Sequence, residues 1–86
     1  MKRTILISGA GTGIGQAAAL FLAEKGYALV LLGRNHEKLE NTRAMLAEPE
    51  AHAVIAADIR NAQEIKKGLA EVNPILHGVI ANAGLG

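Results

Sequence analysis

Four short apolar runs alternate along this chain with three longer segments of helical period, and that alternation constrains the fold more than any other feature. Residues 4–7, Thr-Ile-Leu-Ile, are stopped by a glycine cluster and predict a buried strand. From Ile14 the positions Ile14, Ala17, Ala18, Phe21 and Leu22 follow the spacing of one helix face, and Gly26 is placed to end that helix in a left-handed conformation. Residues 28–32 are apolar throughout, as expected of a strand with helices on both sides. Asn35 suits the cap of a second helix with Leu39, Thr42, Met45 and Leu46 inward. Pro49 limits that helix, because the residue before a proline avoids the helical region. Residues 53–56 predict a third strand. Asn61 with Glu64 three residues on marks the start of a third helix, whose Ile65, Leu69 and Val72 share a face before Asn73 and Pro74 stop it. Residues 78–81 predict the fourth strand.

The string β-α-β-α-β-α-β implies an α/β fold with a parallel sheet, since crossovers through helices join parallel neighbours. Such a sheet is stable when both faces are packed, and three helices cannot cover four strands evenly. Val79 and Ile80 are expected on a bare edge open to pairing. Size sharpens the point. The chain has 86 residues, enough for one domain at most, and its 50% hydrophobic content calls for a core. Yet only Phe21 and Tyr27 are aromatic, and there is no cysteine to form a disulfide scaffold or a cysteine-ligated zinc module. The expectation is an incomplete doubly wound domain: residues 1–86 as the N-terminal half of a larger unit, or a chain that needs a partner to complete it.

Charge and hydropathy remove other classes. Nine Lys and Arg against eight Asp and Glu give a formal charge of +1 with no basic run, so no nucleic-acid partner is expected. The longest uninterrupted apolar runs, 17–23 and 28–32, are far short of the roughly 18 residues that span a bilayer, and the apolar stretch after Lys2 and Arg3 ends too soon for a secretory signal. No membrane association and a cytoplasmic location are expected. His36, His52 and His77 share no ligand spacing, so no metal site is expected either.

The chemistry is concentrated between the first strand and the first helix. Ser8-Gly-Ala-Gly-Thr-Gly-Ile-Gly15 places glycines at 9, 13 and 15 in a Gly-x-x-x-Gly-x-Gly pattern, with Gly11 in addition. It matches neither G-x-G-x-x-G nor a P-loop, which ends in Gly-Lys-Ser/Thr. Physically it is a tight turn whose missing side chains admit a ligand to the backbone. The helix start that follows has no acid in its first turn, so its amides and its dipole favour an anion such as a pyrophosphate. The alternative is a glycine turn used only for close strand-to-helix packing.

The end of the second strand reads Gly33-Arg34-Asn35, with Arg34 nineteen residues past Gly15. A site for NAD carries Asp or Glu there for the ribose hydroxyls, whereas a site for NADP uses an Arg for the 2′-phosphate. A guanidinium takes a phosphate bidentately, so NADP is expected over NAD. The alternative for Arg34 is a solvated loop residue. A methyltransferase using S-adenosylmethionine also tends to want an acid at this position, which argues against that class.

Ser8 to Gly15, Gly33-Arg34-Asn35, Asp58-Ile59-Arg60 and Asn82-Ala83-Gly84 occur in order, and together they make the whole chain resemble the short-chain dehydrogenase/reductase family. The resemblance implies a Rossmann-type fold and hydride transfer between a nicotinamide and a carbonyl or hydroxyl substrate. It assigns Gly9, Gly11, Thr12, Gly13, Ile14 and Gly15 to the cofactor diphosphate, Arg34 and Asn35 to the 2′-phosphate side, Asp58 and the backbone of Ile59 to the adenine, and Asn82, Ala83 and Gly84 to the inner nucleoside wall. Read without it, Asp58 is a turn or cap acid. Three departures from the family pattern stand out: Ser8 replaces threonine, Ala81 replaces the first Asn of Asn-Asn-Ala-Gly, and Thr12 stands where many NADP-preferring members have a second basic residue.

The family's catalytic Ser, Tyr and Lys have no counterpart here. Tyr27 lacks a lysine four residues on and reads as a strand-edge aromatic. Two functions follow as expectations: the NADP-binding part of an oxidoreductase, possible as a homo-oligomer when complete, or a non-catalytic dinucleotide-binding or interaction module.

Overall fold

The computed structural model describes residues 2–11, 13–72 and 74–81. Strands β1 (Thr4–Ser8), β2 (Ala28–Gly33), β3 (Ala53–Ala56) and β4 (Leu76–Ile80) alternate with helices α1 (Gly13–Glu24), α2 (His36–Met45) and α3 (Ala62–Val72). All pairings are parallel and the sheet order is β3-β2-β1-β4. This is the expected Rossmann-type arrangement. The order reverses beside β1, where β2 leads one way and β4 returns on the other side. In open α/β sheets the crevice at the carboxyl ends of the strands next to such a switch point is where ligands bind.

Alternation along each strand divides the core in two. Ile7, Leu29 and Leu31 face Ala19 and Ala23 of α1 and Leu39 of α2, with Leu46 beyond its end, while Leu6, Val30, Leu32 and Ile55 face Ile65, Leu69 and Val72 of α3. Among the described residues β4 lies at an edge of the sheet, with Val79 61% and Ile80 37% exposed.

Helix ends follow their local chemistry. Gly26, at φ +93°, closes α1: its N–H bonds the Ala23 carbonyl and the Tyr27 N–H bonds Leu22, the paired bonds of a Schellman turn. The Asn35 carboxamide oxygen accepts from the Lys38 N–H at 3.0 Å to start α2, and Asn61 accepts from Gln63 and Glu64 at 3.1 Å to start α3.

Three expectations are corrected. The face of α1 turned to the sheet is Gly15, Ala19 and Ala23, whereas Ile14 and Phe21, expected inward, are 68% and 59% exposed. A helix that meets β1 through a glycine turn runs close to the sheet, and only small residues fit between them. Met45, expected inward on α2, is exposed, because the chain leaves the helix there and Leu46 alone turns into the core. Strand β4 begins at Leu76 rather than Gly78: Leu76 pairs with Thr4 and Gly78 with Ile5, so His77 is accommodated as a bulge, with its Nδ1 accepting from the Thr4 N–H at 3.0 Å.

His52 is buried, and its two ring nitrogens have fixed roles. Nδ1 accepts from the Leu29 N–H at 3.0 Å, so Nε2 carries the proton and donates to the Ala47 carbonyl at 2.8 Å. It ties the loop before β3 to the start of β2. His52→Ala strands a buried backbone N–H, and stability should fall by about 1–3 kcal/mol in denaturant titrations.

Candidate functional site

The turn after β1 is held by polar contacts. Gly9 at φ +66° and Gly13 at φ +59° adopt the left-handed conformation that glycine reaches without penalty. Between them Ala10 is fully buried, its N–H directed to the Leu32 carbonyl at 3.3 Å and its carbonyl accepting from Thr42 Oγ1 at 3.1 Å. The Gln16 carboxamide in turn donates to Thr42 Oγ1 at 3.1 Å. One hydroxyl on α2 thereby fixes both the loop and the first turn of α1.

The glycines divide by role. A Cβ on Gly11 would stand 3.2 Å from the Lys38 Cβ, and one on Gly33 3.1 Å from Leu39 Cδ2, so both let α2 approach the sheet and the loop. Gly15 is buried against the sheet. Among the described residues, a Cβ on Gly13 would meet nothing within 4 Å beyond its chain neighbours and its own helix, and it would project into open space at the start of α1, beside exposed Ile14. The first turn of α1 carries no acidic residue, so the positive end of its dipole is not offset by a charge of its own.

Strands β2 and β3 bring the second group together. Gly33 pairs with Ala56, and the Ala57 N–H donates to the Gly33 carbonyl at 2.8 Å, so the loops after the two strands lie side by side. Arg34, 70% exposed, thereby stands with Nη1 4.0 Å from Asp58 Oδ2. Asp58 is bound more tightly by Arg60: Nη2 donates to Oδ2 at 2.9 Å, Nε to Oδ1 at 3.2 Å, and the Arg60 backbone N–H to Oδ1 at 2.9 Å. These Arg60 hydrogen bonds, first from the side chain and then from the backbone, with the charges of Arg60 and Arg34 behind them, hold the Asp58 carboxyl at about 2. Asp58 is thus an anion across the neutral range, and whatever it adds to folding is lost only as pH drops below the usual carboxylate range toward 2.

Of the other expected positions, Asn35 uses its side-chain oxygen on the α2 cap, and Ile59 is 44% exposed in the turn after Asp58. Thr12, Asn82, Ala83 and Gly84 lie outside the described residues. Tyr27 is half-buried against the core at the amino end of β2, the opposite end of the sheet from the glycine turn. Sequence reasoning missed Thr42 and Gln16 as supports of the loop and Arg60 as the partner of Asp58. A threonine on the inward face of a helix was the available signal for the first, since a buried hydroxyl needs a partner.

These residues fit a dinucleotide. The turn offers backbone N–H groups and an open Gly13 at a helix start, and an exposed guanidinium and an ionised carboxylate stand at the ends of the adjoining strands. The chain as a whole is similar to known proteins. The model of the family described as short chain dehydrogenase matches residues 3–86. An uncharacterized oxidoreductase of Emericella nidulans is 42% identical over 84 residues, covering 95% of this chain and 32% of its own. The uncharacterized oxidoreductase YciK of Escherichia coli is 36% identical over 90 residues, covering 96% of this chain and 36% of its own. The crystal structure of a short chain dehydrogenase from Bacillus anthracis superposes with a TM-score of 0.87 at 27% identity, over 94% of this chain and 34% of that one. The chain therefore spans about a third of the length of the relatives it matches. With a switch-point glycine turn, a matching parallel sheet and a family model that runs from Arg3 to the last residue, this chain belongs to the short-chain dehydrogenases.

Proposed function

We propose that the chain supplies the cofactor-binding part of an oxidoreductase that moves hydride between the nicotinamide of NADP and a carbonyl or hydroxyl substrate. The observation that carries the reading is the left-handed Gly13 at the start of α1, open outward, with Arg34 exposed at the end of the neighbouring strand. In this reading Gly9, Gly13 and the first turn of α1 hold the diphosphate, and Gly11 and Gly15 bring the surrounding elements close enough to shape the turn. Arg34 takes the 2′-phosphate, and Asp58 accepts from the adenine amino group, with the backbone of Ile59 beside it. When bound, the cofactor supplies the hydride acceptor or donor; the residues here bind and orient it. A cytoplasmic location and assembly with further copies belong to the same reading. The lack of cysteine supports the first of these.

Arg34 provides the test. Arg34→Asp removes a charge-assisted partner of the 2′-phosphate and sets a carboxylate against it, so NADPH affinity should fall about 10–100-fold while NADH affinity is kept or improved. Fluorescence titration with the two reduced cofactors reads the ratio. An unchanged preference for NADPH would remove Arg34 from the phosphate site.

A further inference from the structure

Arg34 and Arg60 converge on one carboxylate. Arg34 Nη1 lies 4.0 Å and Arg60 Nη2 2.9 Å from the same Asp58 Oδ2, which puts the two nitrogens within about 7 Å of each other. The two side chains are 70% and 78% exposed and Asp58 29%, so the cations face solvent with the anion set between them. The balance is one positive charge in excess. Arg34 makes no hydrogen bond among the described residues, and its contact with Asp58 is too long for one. Arg60 spends Nε and one Nη2 hydrogen on Asp58, and each guanidinium has five N–H donors. Among the described residues, donors from both arginines are therefore free for a further anion. Three contacts to Asp58, one from the Arg60 backbone, set the direction of the Arg60 side chain before any ligand arrives.

We propose that Arg60 is a second cation for the cofactor's 2′-phosphate, held in place by Asp58 and sharing the phosphate with Arg34. The inference rests on the reading of Arg34 above and extends it to a residue of the neighbouring loop. A phosphate dianion between two guanidiniums gains bidentate, charge-assisted bonds from both sides, whereas a ribose with free hydroxyls gains nothing from the second cation. Arg60 should therefore contribute to discrimination between the two cofactors and little to the binding of the part they share. Asp58 is a positioning residue for Arg60 as well as an acceptor for adenine.

The experiment compares wild type, Arg60→Gln, Arg60→Lys and Arg34→Gln in calorimetric titrations with 2′,5′-ADP and 5′-AMP, and with NADPH and NADH. Arg60→Gln should weaken 2′,5′-ADP and NADPH about tenfold and leave 5′-AMP and NADH within twofold. Arg60→Lys should restore part of the loss, because it returns the charge without the fork. If the wild type prefers the 2′-phosphorylated ligands, Arg34→Gln abolishes that preference and Arg60→Gln leaves it intact, this proposal is overturned and the Arg34 assignment stands. A wild type with no preference overturns both. An equal loss on all four ligands would make Arg60 a support of the loop only and would overturn the phosphate role.

Discussion

Gly13→Val should lower NADPH affinity by two orders of magnitude or more while the fold is retained. Two separate costs fall on the substitution. The first is backbone strain, because Gly13 sits at φ +59° and a β-branched residue there is an outlier costing roughly 1–2 kcal/mol. The second is steric and falls only on the complex. Among the described residues the new Cβ meets nothing within 4 Å beyond its chain neighbours and its own helix, so its branches occupy the open space that the diphosphate must enter to reach the helix amides. A control separates the two. Gly26 is also left-handed, at φ +93°, also has no described residue beyond its chain neighbours within 4 Å of where a Cβ would stand, and lies at the other end of the same helix. Gly26→Val should lower the melting temperature as much as Gly13→Val and leave NADPH titrations unchanged. Equal cofactor loss in both variants would mean that strain in α1, and not exclusion from the turn, governs binding.

Much of this arrangement can be read along the chain, and the parts that cannot have physical reasons. The strands and the helix ends are local. Gly26 and Asn61 act on backbone groups within five residues of themselves, so their identities suffice to place them. The inward face of α1 is not legible, because residues 17–23 are apolar all the way round and periodicity then carries no direction. Distance to the sheet decides the face, and that distance is set by the glycine turn. The bulge at His77 depends on register with β1 and is invisible in the strand's own residues. The candidate site divides in the same way. The glycines, Arg34 and Asp58 carry their roles in residue type and position, whereas Arg60 matters only because sheet order places the loops after β2 and β3 side by side. Parallel pairing follows from alternating elements, but the order β3-β2-β1-β4 requires knowing which neighbour each crossover reaches.

The other large effect is expected at Gly68, in the middle of α3. Glycine in a helix interior costs about 1 kcal/mol relative to alanine, so its presence there calls for a reason. The reason is Ile55 of β3, 4% exposed, whose Cγ2 would lie 2.4 Å from a Cβ on Gly68, with its Cβ and Cγ1 both at 3.4 Å. A methyl on a β-branched carbon in a packed strand has few rotamers to retreat to, so α3 itself must move away from the sheet. That displacement would disturb the one described helix on this face, and with it the packing of Ile65, Leu69 and Val72 on Leu6, Val30 and Leu32. Gly68→Val should therefore cost at least about 2 kcal/mol, at the upper end of overpacking effects, and Gly68→Ala less because improved helix propensity offsets part of the clash. Ile55→Ala alone should also destabilise, by leaving a cavity. Combined with Gly68→Ala it should destabilise less than the sum of the two, since the new methyl enters the space that Ile55 vacates. Chemical denaturation of the four proteins measures this coupling. Strict additivity would show that Gly68 is not in α3 to accommodate Ile55.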